Sequence, residues 1–263
     1  MSIKILNPGK FTDRPRAVLL DLDNTLYPYQ PAHEAAMAAV RKKASRSVGA
    51  GRTEFDKAFE KARAETKKQL GTAASSHSRL LYFQRTLEHL GLRSQVLLSL
   101  EFEQAYWGSF LAAVQLRDGV IEFLDLLAHA DIPRVIVTDL TARIQLRKLV
   151  YLELDQHFEY VVTSEESGAD KPDRSSFDIA LNKLSMLGNQ SEPGGPGGPT
   201  WMIGDNFTAD IEGAKNAIDA TTLALKSEIG DYVNDSSVDM VFDTFSDLVQ
   251  FMSARNWINP ASG

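Results

Sequence analysis

Apolar residues follow two rhythms along this chain. Six short runs are nearly continuous in apolar or β-branched residues: Ala17–Leu20, Arg134–Val137, Tyr160–Thr163, Trp201–Ile203, Thr221–Leu225 and Asp239–Phe242. Runs of that kind suit strands buried on both faces of a parallel sheet. Between them the spacing becomes helical. Val120, Phe123, Leu124 and Leu127 form one stripe, and Phe177, Ala180, Leu181 and Leu184 form another. Strands alternating with helices predict a doubly wound α/β domain.

The alternation has one large gap, after the run at Ala17. Four helical patterns fill it. The first covers about Pro31–Val48, and the second carries Phe55, Phe59 and Ala62. The third carries Leu80, Phe83, Leu87 and Leu90, and the fourth Phe102, Tyr106, Phe110 and Ala113. Turn residues mark both crossings: Pro28 and Pro31 on entry, Asp118 and Gly119 on exit. The expected architecture is a Rossmann-like, doubly wound, mostly parallel sheet core (residues 1–28 and 117–263). An all-helical cap (residues 29–116) is inserted after the first strand, and its two crossings would act as a hinge. The Gly/Pro segment Pro193–Pro199 reads as a surface loop.

Composition narrows the classes. Apolar residues make up 43%, enough for a sizeable core, and there is no cysteine. A disulfide scaffold, a thiolate metal site and a cysteine nucleophile are thereby excluded. The 28 basic and 35 acidic residues give a net charge of −7, against a dedicated nucleic-acid binder. No run approaches the ~20 apolar residues of a membrane helix, and the start of the chain lacks the apolar core of a signal peptide. A cytoplasmic protein with no nucleic-acid or membrane partner is expected. Charge divides unevenly: residues 28–116 hold 13 basic and 8 acidic residues (+5), leaving 15 and 27 (−12) elsewhere. The basic excess reads first as solvated helix faces, with attraction of an anionic substrate as the alternative.

Candidate chemistry sits at strand ends. The first strand runs into Asp21-Leu22-Asp23-Asn24-Thr25-Leu26-Tyr27, the second into Thr138-Asp139, and the fourth into Gly204-Asp205 and, further on, Asp210. Lys171-Pro172 precedes a helix. The carboxyl edge of such a sheet is where open α/β folds bind ligands. Asp21 and Asp23, two apart, would share a face, and paired buried acids need a cation or a proton between them. Each feature alone also fits a turn or a helix cap.

Together these residues resemble the haloacid dehalogenase superfamily of aspartate-nucleophile phosphatases. The matching residues are Asp21-Leu-Asp23-Asn-Thr25, Thr138, Lys171-Pro172 and Gly204-Asp205 through Asp210. The inserted helices are similar to the helical C1 cap, and Asp-Asn-Thr-Leu-Tyr resembles pyrimidine 5′-nucleotidases. The resemblance implies Asp21 as nucleophile, Asp23 as general acid and base, Thr138 as a donor to phosphoryl oxygens and Lys171 as the ordering cation. It implies Mg²⁺ on Asp21, Asp205 and the Asp23 carbonyl, with Asp210 behind those ligands. Asp139 is either a hydrogen-bond partner near Tyr27 or a helix cap. Leu140 stands where close resemblers often have glycine. Phosphoryl transfer needs such parts: an in-line nucleophile, cations on the phosphoryl oxygens and a proton for the leaving group.

For substrate contact the candidates are Thr138, Lys171, Tyr27 and Arg79, with Tyr29, His33, His77 and Tyr82 nearby in the chain. The cap aromatics could stack on a base or simply form cap core. His33 lacks a second histidine at ligand spacing and is not expected to bind metal. The expected activity is Mg²⁺-dependent hydrolysis of a small phosphorylated metabolite, first a nucleoside 5′-monophosphate. A sugar-phosphate phosphatase or phosphomutase is the alternative. A phospho-accepting signalling module is the alternative from a different class, disfavoured by the inserted cap.

Overall fold

The computed structural model describes residues 3–187, 198–255 and 257. Residues 193–197 of the expected Gly/Pro loop lie outside these. The chain forms two compact units: Met1–Tyr27 with Leu116–Gly263, and Pro28–Gln115.

The first unit is built on a seven-stranded sheet. Its strands are β1 (Lys4–Ile5), β2 (Ala17–Leu20), β3 (Arg134–Thr138), β4 (Tyr160–Thr163), β5 (Thr200–Gly204), β6 (Thr221–Leu225) and β7 (Met240–Phe242). They lie in the order β1-β7-β6-β5-β2-β3-β4, all parallel except β1, which pairs antiparallel with β7. From β2 the chain moves outward to β3 and β4, then returns to β5 on the other side of β2. The order therefore reverses between β2 and β5, the topological switch point at which such sheets open a crevice.

Both faces of the sheet are covered, which explains the continuous apolar runs. On one face Leu19, Val135, Val137, Val162 and Met202 pack with Phe177, Ala180 and Leu184 of helix Arg174–Ser185. On the other, Trp201 meets Phe11 and Phe251 edge-on or tilted, at centroid distances of 5.7 and 6.5 Å. Burying each such aromatic contributes on the order of 2 kcal/mol or more.

The second unit is four helices: α1 (Tyr29–Val48), α2 (Arg52–Leu70), α3 (Arg79–His89) and α4 (Val96–Ala113). Its core is aromatic. Phe55, Phe59, Phe83, Phe102, Tyr106 and Phe110 are buried, and Phe83 sits perpendicular to Phe102 at 6.0 Å. Ser78 caps α3 by accepting from the Leu81 N–H. The remaining helices belong to the sheet unit: α5 (Val120–His129), α6 (Ala142–Tyr151), α7 (Ser164–Ser167), α8 (Arg174–Ser185), α9 (Gly213–Ile218), α10 (Lys226–Ile229) and α11 (Phe245–Ser253). No described helix is long and apolar enough to cross a membrane.

Candidate active site

The switch point gathers the acidic residues. Asp21 continues β2, its N–H donating to the Ile203 carbonyl at 3.0 Å. That bond aligns the ends of β2 and β5, so Asp21 and Asp205 emerge side by side. The chain then turns sharply. Asn24 takes φ +67°, a left-handed conformation that asparagine tolerates better than most residues. Leu22 and Leu26 anchor the turn by full burial.

A π-helical turn, Phe207–Glu212, follows Asp205 and brings Asp210 back under the end of β5. Asp210 Oδ2 accepts the N–H groups of Asp205 (3.2 Å) and Asn206 (3.0 Å). Asp21, Asp205 and Asp210 each offer a carboxylate oxygen within 4.8 Å of the others.

One ammonium serves this cluster. Lys171 Nζ donates to Asp21 Oδ1 (2.7 Å), Asp210 Oδ1 (2.7 Å) and the Val137 carbonyl (2.8 Å), using all three of its protons. Its N–H donates to Asp139 Oδ1 at 2.9 Å, so Asp139 holds the lysine loop in place. Burial and the neighbouring carboxylates Asp210 and Asp205 push the Asp21 carboxyl well up, against the pull of Lys171. Burial and Asp210 push Asp205 up to about 6. Lys171 is raised despite its burial, because Asp21, Asp210 and Asp139 surround it.

The balance of charge and protons tests whether a divalent cation fits. Three carboxylates face one lysine. The Thr25 hydroxyl stands 3.0 Å from both Asp21 Oδ2 and Asp205 Oδ1, yet it has one proton to give. With both carboxyls pushed up by their neighbours, the second contact needs a proton or a cation, and a divalent cation satisfies both carboxylates at once. All the groups are hard oxygen donors, which suits Mg²⁺. Asp210, with one oxygen on Lys171 and the other on two N–H groups, is engaged as a brace. Asp21 and Asp205 are the carboxylates that fit as ligands.

Asp23 lies apart from this cluster. Lys148 Nζ donates to both of its oxygens, at 2.6 and 2.7 Å, and Gln145 Nε2 lies 3.1 Å from Oδ2. Tyr27 donates its hydroxyl to Oδ1. Burial alone would raise the Asp23 carboxyl, but Lys148, Tyr27 and Gln145 together hold it below its usual value. Gln145 also lies 2.6 Å from Thr138 Oγ1, joining Asp23 and Thr138 in one network.

Sequence reasoning missed Gln145 and Lys148, both buried on α6. Tyr27 corrects another expectation. It is fully buried and braces Asp23, so it has no surface to present to a substrate. Arg79 belongs to the four-helix unit. Leu140 keeps φ +100°, so the loop retains a glycine-like backbone around a leucine.

The comparisons with known proteins agree with this geometry. A family model for haloacid dehalogenase-like hydrolases matches residues 15–217. The ribulose-1,5-bisphosphate 5-phosphatase of Halopiger xanaduensis is 36% identical over 79% of this chain and 83% of its own. A pyrimidine 5′-nucleotidase of Streptococcus pneumoniae is 26% identical, over 76% and 79%. Among solved structures, the magnesium-bound HAD-hydrolase YfnB from Bacillus subtilis superposes with a TM-score of 0.65 at 19% identity. That alignment covers 91% of this chain and 99% of YfnB, and it speaks for the fold. By its sheet, its strand-end carboxylates and its family match, this chain belongs to the haloacid dehalogenase-like hydrolases.

Proposed function

We propose that this hydrolase cleaves a small phosphomonoester through an aspartyl-phosphate on Asp21. The observation that carries the reading is the cluster of buried Asp21, Lys171 and Asp210 with half-buried Asp205 at the switch point. Asp21 is the nucleophile. A carboxylate oxygen bonds to phosphorus while the ester P–O bond breaks. Asp23 is the acid–base group. Held ionised by Lys148 in the free site, it has to take up a proton as the substrate binds, gives that proton to the departing alkoxide oxygen, and then takes one from the water that attacks the aspartyl-phosphate. Inorganic phosphate leaves and Asp21 is restored. Lys171 orients the nucleophile and offsets negative charge, and the Thr138 hydroxyl, whose proton is held only by a long 3.5 Å contact with the Asp139 carbonyl, would turn to donate to a phosphoryl oxygen. Asp21, Asp205 and the Asp23 carbonyl would hold Mg²⁺, which when bound neutralises the approach of a carboxylate to a phosphate dianion.

A sugar phosphate is the better-supported substrate class, because the relative named for a sugar bisphosphate shares 36% identity. A nucleoside 5′-monophosphate is the second reading, from the relative named a nucleotidase at 26%. The test is Asp21→Asn with an aryl phosphate and Mg²⁺. Turnover should fall at least about 10³-fold, in line with losing a nucleophile, with the circular dichroism spectrum unchanged. Turnover within ten-fold of wild type would rule out the aspartyl-phosphate. A panel of sugar phosphates and nucleotides then separates the two substrate classes.

A further inference from the structure

Helix α6 divides its residues between two faces. The inner face is committed: Ile144, Gln145, Lys148 and Leu149 are buried, and Gln145 and Lys148 hold Asp23. The outer face is Arg143, Leu146, Arg147, Val150 and Tyr151, all exposed. Their spacing of i, i+3, i+4, i+7 and i+8 makes one continuous stripe. Leu146, Val150 and Tyr151 are 49%, 61% and 59% exposed. Three large apolar side chains adjoining on one helix face exceed the scattered single residues of an ordinary surface. The helix cannot turn to bury them without releasing Asp23.

Charge is ordered along the same stripe. Arg143 and Arg147 occupy its amino-terminal half, and neither makes an ion pair among the described residues. Glu153 and Asp155 follow its carboxyl-terminal end, both exposed. Glu153 likewise has no ion pair among the described residues, and Asp155 accepts from its neighbour Gln156 at 3.1 Å. Positive charge thus leads into apolar surface, and apolar surface into negative charge. Such a stripe is complementary to itself when turned end for end.

We propose that α6 is the contact between two copies of this chain, paired antiparallel about a two-fold axis. Arg143 and Glu153 lie about 15 Å apart along the helix direction. An axis midway between them sets Arg143 of each copy against Glu153 of the other. Leu146 and Arg147 of each then lie beside Val150 and Tyr151 of the other, so that a guanidinium can cover a tyrosine ring. Antiparallel helices also oppose their dipoles. Two-fold dimers are the commonest closed assemblies, and a self-complementary patch is what they require. Arginine and tyrosine are enriched among the residues that carry binding. One helix per copy gives an interface at or below the low end of the stable range, roughly 1,200 Å² in total, so the dimer forms at about micromolar rather than nanomolar concentration. The pairing is independent of the phosphatase reading, because it uses none of the carboxylate cluster.

The experiment is sedimentation velocity of the full chain from about 1 to 500 µM. Wild type should pass from a 29.1 kDa species to one of twice that mass. Val150→Glu should raise the dimer Kd at least about ten-fold by placing charge in the apolar centre. Arg143→Glu alone and Glu153→Arg alone should each raise it at least about three-fold, because like charges then face each other. Mixed in equal amounts, these two variants should recover the wild-type dimer, since both contacts of the mixed pair again join opposite charges. All three positions are exposed, and circular dichroism should show each variant folded. A single 29.1 kDa species at every concentration would overturn the pairing and leave the stripe to a partner of another kind. A dimer unmoved by Val150→Glu would place the contact elsewhere and overturn it too. No recovery on mixing would overturn the antiparallel arrangement.

Discussion

A methyl group on Gly204 would stand 2.4 Å from both Cβ and Oδ2 of Asp210. The absence of a side chain there lets Asp210 fold back beneath β5 and meet Lys171. Gly204→Ala should therefore cost about 1–3 kcal/mol, as overpacking does, and displace Asp210 from its two N–H donors. Thermal denaturation and Mg²⁺ titration check both effects. Lys148 acts on a different carboxylate. It is buried, and it grips both oxygens of Asp23. In Lys148→Met, Asp23 loses its orienting cation, and kcat should fall about ten-fold, part of the 10²–10⁴ that a general acid supplies. The loss should be larger for an alkyl phosphate, whose leaving group needs the proton, than for a nitrophenyl ester. Equal losses would show that Lys148 serves only the fold.

The same residues show what the sequence could reveal at this scale. Asp21, Asp205 and Lys171 were legible because each follows an apolar run or opens a helix, where chemistry collects in α/β sheets. Gln145 and Lys148 were not, since polar residues within a helix normally face water. The available signal was positional. Both lie on the stripe of Ile144, Leu149 and Leu152, which is buried, while Leu146 and Val150 are exposed. Tyr27 was misread because an aromatic beside a nucleophile suggests a ligand contact as readily as a brace.

At the scale of elements, the six apolar runs correspond to β2 through β7, with ends shifted by no more than one residue. β1 escaped notice because two residues, Lys4 and Ile5, carry no periodicity, and its place is set by pairing with β7. Helices α2 to α4 were readable because their aromatic residues keep one face, and α1 because Ala32, Ala36, Met37, Val40 and Ala44 do. The pairing of His33 with Tyr106 was not, since it joins α1 to α4 across a large sequence separation. It has a consequence for acid stability. A histidine whose folded pKa is about 4 binds fewer protons when folded than when unfolded, where about 6.5 is usual. Its stabilisation is therefore full above about pH 6.5 and is lost as the pH falls towards 4. After allowance for solvent screening the loss should be on the order of 1–2 kcal/mol. His33→Gln should flatten that part of the stability profile in denaturant titrations between pH 4 and 7.

Across the whole molecule, charge explains why stability and activity should share a dependence on Mg²⁺. A ligand that binds the folded state at about 100 times its Kd stabilises by roughly 2.7 kcal/mol. For a chain of this size that is a rise in Tm of about 5–10 °C. Mg²⁺ should produce a shift of this order in wild type, EDTA should reverse it together with turnover, and Asp205→Asn should abolish most of it. A shift unchanged in Asp205→Asn would place the cation elsewhere.

The insertion point of the four helices carries a consequence of its own. Leu26 and Arg117 flank the inserted unit, and the Arg117 N–H donates to the Leu26 carbonyl at 2.9 Å. To the sheet unit, the folded insertion is thus a clasp with its ends already together. Were those 88 residues (28 to 115) to melt while the sheet stayed intact, the same bond would have to close a long floppy ring. The entropy of that closure is about 4 kcal/mol. Helix-melting substitutions inside the insertion would then loosen the sheet through chain connectivity alone. Replacing the insertion with a short turn would remove that liability.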